Sequence, residues 1–258
     1  MNLVSGITRL GAPFCVFGED KLGEVLLLPG MTDSFRDAKV GARMLKSQFS
    51  LLAESFRIHI LSRPDSLDME SVERAIEEPV LDYLSGFSGK VNLMGVSMGG
   101  MLAQKIALNN PSAISRVVFA ITGPVQPPAS KERMLYWQNL AKNEEFEALQ
   151  EETLSLIYGK KPTVQGGMKL KVQPPRSLSH FLACTNYCMH HNQVDGIKDL
   201  SMKVQWLLAE HDSSFPPDFI VKKLPESQDV KIVPEGVHGI VGKTGQSIQK
   251  WAGEFFSS

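Results

Sequence analysis

Three cysteines in 258 residues, Cys15, Cys184 and Cys188, are an odd number and poor material for a disulfide framework. The expectation is a reducing, cytoplasmic setting. No apolar run approaches the roughly 20 residues of a membrane span. The opening MNLVSGITRLGAPF lacks the basic stretch followed by an apolar one that marks a secretory leader. Long blocks of like charge are missing as well, and 27 basic against 28 acidic residues leave a formal net charge of −1. That balance argues against a nucleic-acid partner and against a membrane-surface partner. Internal repeats and low-complexity tracts are not evident. What is left is 43% hydrophobic and 21% charged, the make-up of a soluble globular chain that can bury a large core. The length suits one large α/β domain or two small ones.

What is present is alternation. Short β-rich runs occur at PFCVFGE, EVLLL (24–28), FRIHIL (56–61), KVNLMGV (90–96), SRVVFAI (115–121), VQWLLA (204–209) and DVKIV (229–233). Between them the spacing predicts helices over 37–54, 69–85, 98–109 and 246–256. This order is that of a mostly parallel sheet covered by helices. Runs such as EVLLL lack in/out alternation, as strands buried on both faces do. From Pro124 to Leu200 the rhythm breaks. The stretch opens with GPVQPP, holds predicted helices at 130–142, 144–158 and 176–189 and a loop at GKKPTVQGG, and contains no clear strand. It reads as a helical insertion.

The chemistry centres on GVSMGG, Gly95 to Gly100, at the end of a predicted strand. A tight strand-to-helix turn puts strained backbone angles on Ser97, and side chains at Gly95 or Gly99 would meet neighbouring backbone. The hydroxyl is thereby exposed at the positive end of the next helix, as the G-x-S-x-G pattern requires. An attacked carbonyl also needs donors for its oxyanion. The backbone N–H of Met98 is one candidate. The loop LLLPGMTDS supplies the other, the N–H of Met31, beside a glycine that permits close approach.

Six histidines compete for the role of base. His59 lies inside a predicted strand, and His180, His190 and His191 lie in the insertion. His211 adjoins the acid candidates. His238, in PEGVHGIVG, follows the last strand, and loops at the carboxyl ends of strands are where α/β sheets carry functional groups. The orienting acid is sought in AEHDSSFPP, where Asp212 is favoured over Glu210 because it lies further into the loop. Asp33, Asp195 and Asp199 come next.

The order Ser97, Asp212, His238 is that of the α/β-hydrolases and differs from those of chymotrypsin and subtilisin. Over nearly its whole length the chain resembles that superfamily. It is similar to the small, cap-bearing esterase-like members through LLLPGMTDS, GVSMGG, AEHDSSFPP and PEGVHG. The resemblance implies a mostly parallel sheet of about eight strands flanked by helices. Residues 1–123 and 201–258 would form the core and 124–200 a helical cap after the sixth strand. It also supports Met31 and Met98 as oxyanion donors and implies no cofactor. The activity implied is that of a serine hydrolase that cleaves a small to medium carboxylic ester through an acyl-enzyme. Carbon–carbon bond (diketone), thioester or lactone hydrolysis would use the same triad, and a slow-turnover ligand receptor shares the fold. Two motifs depart from the family pattern. Pro29-Gly30 stands where His-Gly is common, and SRPDS replaces the usual Asp-Arg-Gly-His-Gly type of turn.

Two weaker signals remain. Cys184, Cys188, His190 and His191 fall within eight residues, but a structural zinc site takes two separated ligand pairs, and packing within the insertion is the better account. Met134, Trp137, Leu140, Phe146, Leu149 and Phe181, with Met31 and Met98, are read as packing residues, some lining an apolar acyl pocket.

Overall fold

A computed structural model describes residues 3–67, 71–160 and 171–258. Its strands are β1 (Val4–Ile7), β2 (Pro13–Gly18), β3 (Glu24–Leu28), β4 (Arg57–Leu61), β5 (Val91–Val96), β6 (Ile114–Ala120), β7 (Lys203–Ala209) and β8 (Asp229–Val233). They form one sheet in the order β1-β2-β4-β3-β5-β6-β7-β8. The pairs β1·β2 and β2·β4 are antiparallel, and every pairing from β4 to β8 is parallel.

The absence of alternation in EVLLL has a direct cause. Leu26 and Leu28 of β3 pack into a core on one face, with Leu93, Phe119 and Trp206. Val25 and Leu27 enter a second core on the other face, with Met94, Val118 and Leu207. Each such side chain contributes about 1.5–3 kcal/mol on burial, so a polar residue at any of these positions would be costly. All six residues of β5 are buried, which makes it the sheet's central spine.

Helices α1 (Ala42–Gln48) and α8 (Gly242–Ser257) cover the second face; α2 (Val72–Leu84) and α3 (Met98–Asn109) cover the first. The helix predicted over 37–54 is shorter than expected. Asp37 accepts a hydrogen bond from the Val40 amide at 2.9 Å, a local turn that delays helical pairing until Gly41. After Phe49 the chain tightens into a 3₁₀ turn at Leu52–Glu54. The start of the helix predicted at Met69 lies outside the described residues, as does most of the predicted loop GKKPTVQGG. Strand β1 was not predicted from the residues. It is a four-residue edge strand, mostly exposed, and carries no periodicity long enough to read.

Between β6 and β7 lie α4 (Pro128–Lys142), α5 (Phe146–Tyr158) and α6 (Leu178–His190). Pro128 opens α4, where a missing N–H costs nothing. Gly159 at φ 69° ends α5 in the left-handed conformation. Ser177 caps α6 by accepting from the His180 amide at 3.1 Å. Among the described residues of 124–200 no ladder strand forms, only an isolated bridge between Val125 and Asn192. Also among the described residues, no helix is long and apolar enough to cross a membrane. A short helix, α7 (Pro217–Val221), follows β7.

Candidate active site

Strand β5 ends at Val96 and α3 begins at Met98, so a single residue makes the turn. That residue is Ser97, at φ 53° and ψ −119°, a conformation L-residues rarely adopt. The glycines around it are required by contact. A Cβ on Gly99 would lie 2.0 Å from the Leu28 carbonyl oxygen, and one on Gly95 would lie 2.4 Å from that of Gly99. The turn therefore closes only with hydrogen at both positions. It leaves the Ser97 hydroxyl half-buried above the carboxyl ends of the strands.

Two further strand ends converge on it. Ser97 Oγ lies 2.9 Å from Nε2 of His238, which follows β8. Nδ1 of the same ring lies 2.8 Å from Oδ2 of Asp212, which follows β7. An ionised carboxylate only accepts, so Nδ1 carries the proton and donates to Asp212. Nε2 is then left as an acceptor for the Ser97 hydroxyl proton. The carboxylate is itself held in place. Its Oδ1 accepts from the amides of Ser214 at 2.7 Å and Phe215 at 2.9 Å. Phe215 stacks on the His238 ring with centroids 5.7 Å apart, fixing its plane. Nothing in the sequence singled Phe215 out.

The competing acids have other partners or exposed positions. Glu210 is exposed and accepts from the Glu235 amide at 2.7 Å. Asp195 and Asp199 are exposed at a 3₁₀ turn, and Asp33 is buried with Arg63 and Arg176. Among the histidines, His59 contacts Tyr83 Oη at 2.9 Å and Glu24 at 3.3 Å, within the sheet. His211 is exposed. His180 and His191 are buried, and desolvation pushes both pKa values down to about 3, with cations nearby adding to the shift.

Met98 is the first residue of α3, and Met31 the first of a 3₁₀ turn, Met31–Ser34. Their N–H groups thus precede the first intrahelical bond. Both residues and Ser97 line one cavity of about 1220 Å³. Met134 and Trp137 of α4 and Leu154 of α5 form part of its wall, so these helices and the serine line the same cavity. Leu140, Leu149 and Phe181, grouped with them by sequence, are buried in the core instead. Cys188 reaches the cavity wall, and Cys184 lies 3.5 Å from His180. His190 is exposed, its ring 2.9 Å from the Asn186 carbonyl oxygen, and His191 contacts Gln104 at 3.2 Å. Burial raises both thiol pKa values.

No family model matches the chain. Solved structures do. An α/β hydrolase enzyme from a Medee basin deep-sea metagenome library is similar at TM-score 0.75 and 17% identity, over 96% of this chain and 94% of that one. An esterase from Exiguobacterium antarcticum is similar at TM-score 0.75 and 14% identity, over 98% and 99%. The enol-lactonase from Burkholderia xenovorans gives 0.74 and 16%, over 96% of each chain. With this sheet order and these crossovers, the chain has the α/β-hydrolase fold.

Proposed function

We propose that this protein is a serine hydrolase that cleaves a small to medium carboxylic ester through an acyl-enzyme. The observation that carries the reading is the unbroken chain from Ser97 Oγ through His238 to Asp212, at 2.9 and 2.8 Å, with Ser97 and His238 in the wall of a large cavity. Ser97 attacks the ester carbonyl while His238 Nε2 takes its proton. Asp212 holds the imidazole tautomer and stabilises its charged form. The amides of Met31 and Met98 receive the oxyanion, each such donor being worth about 3–4 kcal/mol in the transition state. His238 returns the proton to the leaving alcohol. It then activates the water that releases the acid.

In this reading residues 124–200 act as a cap. Its support is that α4 and α5 line the cavity that Ser97 also lines. The apolar lining there suits an apolar acyl group. Three buried free thiols suit a reducing, cytoplasmic setting.

The test is labelling by a fluorophosphonate, read by intact mass and peptide mapping, together with turnover of an aryl ester panel of varied acyl length. Thioesters, lactones and diketones belong in the panel, because one fold hosts many chemistries. The expected result is one adduct on Ser97 and preferred turnover of carboxylic esters. Ser97→Ala should lose the adduct and on the order of 10⁴–10⁶ in kcat. A folded Ser97→Ala protein with more than roughly a tenth of wild-type activity would sink the assignment.

A further inference from the structure

The two motifs that depart from the family pattern touch each other. Arg63, from SRPDS, is buried at 3% exposure. Its guanidinium donates from Nη1 to the Pro29 carbonyl oxygen at 2.9 Å and from Nη2 to that of Gly30 at 2.8 Å. Asp33 balances the charge from the same loop, 3.2 Å from Nη2, and also accepts from the Arg63 amide at 3.1 Å. Ser62 Oγ donates to the other Asp33 oxygen. Arg176, just ahead of α6, straps the loop from outside, donating from Nε to the Asp33 carbonyl oxygen at 2.9 Å.

The carbonyl of Gly30 and the N–H of Met31 belong to one peptide unit. A trans peptide is planar, and its C=O and N–H point in opposite directions. Anchoring the Gly30 oxygen therefore aims the Met31 N–H, and the bond to Pro29 fixes the preceding unit. A cation on the oxygen also polarises the unit, strengthening its N–H as a donor. The loop passes close to the nucleophile, since a Cβ on Gly30 would lie 3.2 Å from Ser97 Cβ and 3.7 Å from Ser97 Oγ.

We infer that Arg63 is a positioning residue for catalysis, holding the Gly30–Met31 peptide so that the Met31 N–H meets the oxyanion formed at Ser97. The inference rests on the serine-hydrolase reading proposed above. Arg63 touches no reacting atom. It acts through the peptide that does.

Two variants test it, Arg63→Lys and Arg63→Gln. Lysine keeps a charge for Asp33 but cannot present the planar fork that meets both carbonyls. Folding is checked by circular dichroism and competent sites are counted with a fluorophosphonate. The expected result is a kcat about 10- to 100-fold lower per competent site, with KM changed less than about threefold. A trifluoromethyl ketone, whose adduct places an oxyanion in the same position, should lose affinity by the same factor. A purely structural role would not couple those two losses. Hydrogen exchange of the peptide covering residues 28–35 provides a readout that needs no turnover, and it should accelerate in both variants. If the wild type turned over no acyl substrate while this exchange still accelerated, the hydrolase reading would fall and the anchor would stand. A folded variant with near-normal kcat, or with exchange unchanged at 28–35, would overturn the inference. Failure of both variants to fold would assign Arg63 to core stability and overturn it equally.

Discussion

His238 directs its Nδ1 at Asp212, 2.8 Å away, while Glu210, two residues earlier in the same loop, points to the amide of Glu235. The difference is one of burial. Asp212 turns inward beneath Phe215 and accepts two backbone amides, whereas Glu210 stays in solvent. Asp212→Asn keeps the shape but reverses what Nδ1 must do. It should lower kcat by about 10⁴, as loss of the orienting carboxylate does in the serine-protease template. Glu210→Gln should cost little. Steady-state kinetics of both variants on one aryl ester decides the matter, and a crippled Glu210→Gln beside a normal Asp212→Asn would reassign the acid.

The glycines of the turn predict a stability contrast. A Cβ at Gly99 would lie 2.0 Å from a backbone oxygen, which no rotamer change relieves, whereas one at Gly89 meets nothing within 4 Å. Gly99→Ala should destabilise the fold by about 3 kcal/mol or more, or prevent folding, and Gly89→Ala should be nearly neutral. Chemical denaturation of the two proteins measures this. Equal midpoints would contradict the geometry of the turn.

The cavity wall formed by α4 predicts specificity. Trp137 is almost wholly buried and faces the cavity that holds Ser97. Trp137→Leu enlarges the cavity, so the ratio of kcat/KM for long over short acyl esters should rise on the order of tenfold. An unchanged ratio across the ester panel would remove α4 from the proposed acyl site.

Buried His180 and His191 make stability depend on pH. His180 donates from Nδ1 to the Pro64 carbonyl oxygen at 2.9 Å and receives Arg176 on Nε2 at 3.3 Å, an arrangement that requires the neutral ring. Burial, with Arg63 and Arg176 near His180 and Lys105 near His191, lowers both pKa values from 6.5 to about 3. Below 6.5 the unfolded chain takes up protons that the folded chain refuses until about 3. Acid therefore favours unfolding across that window, and stability should rise with pH from about 4 to about 7. Thermal melts over this range check the sign. A flat profile would show that these rings titrate while folded.

Much of the scaffold was legible in the sequence because its determinants are local. EVLLL reads as a doubly buried strand from its lack of in/out alternation, and Gly95, Ser97 and Gly99 read as a turn from steric requirements within a few residues. His238 and Asp212 were narrowed down by their places after strands, since parallel strands carry their loops to one end of the sheet. Four-residue β1 was missed because an exposed edge strand is defined by its partner, Val4 opposite Val16, and not by its own pattern. The stacking of Phe215 on His238 and the contact of Arg63 with Pro29 and Gly30 cannot be read along the chain. SRPDS was visible as a departure, but its meaning depends on β3 and β4 lying side by side, which brings turns more than thirty residues apart into hydrogen-bond range. Sequence alone thus determined the layered fold and the chemical type of each candidate side chain. Tertiary structure decided which acid meets the imidazole and what anchors the Met31 peptide, because both are set by distances across strands and neither by neighbours along the chain.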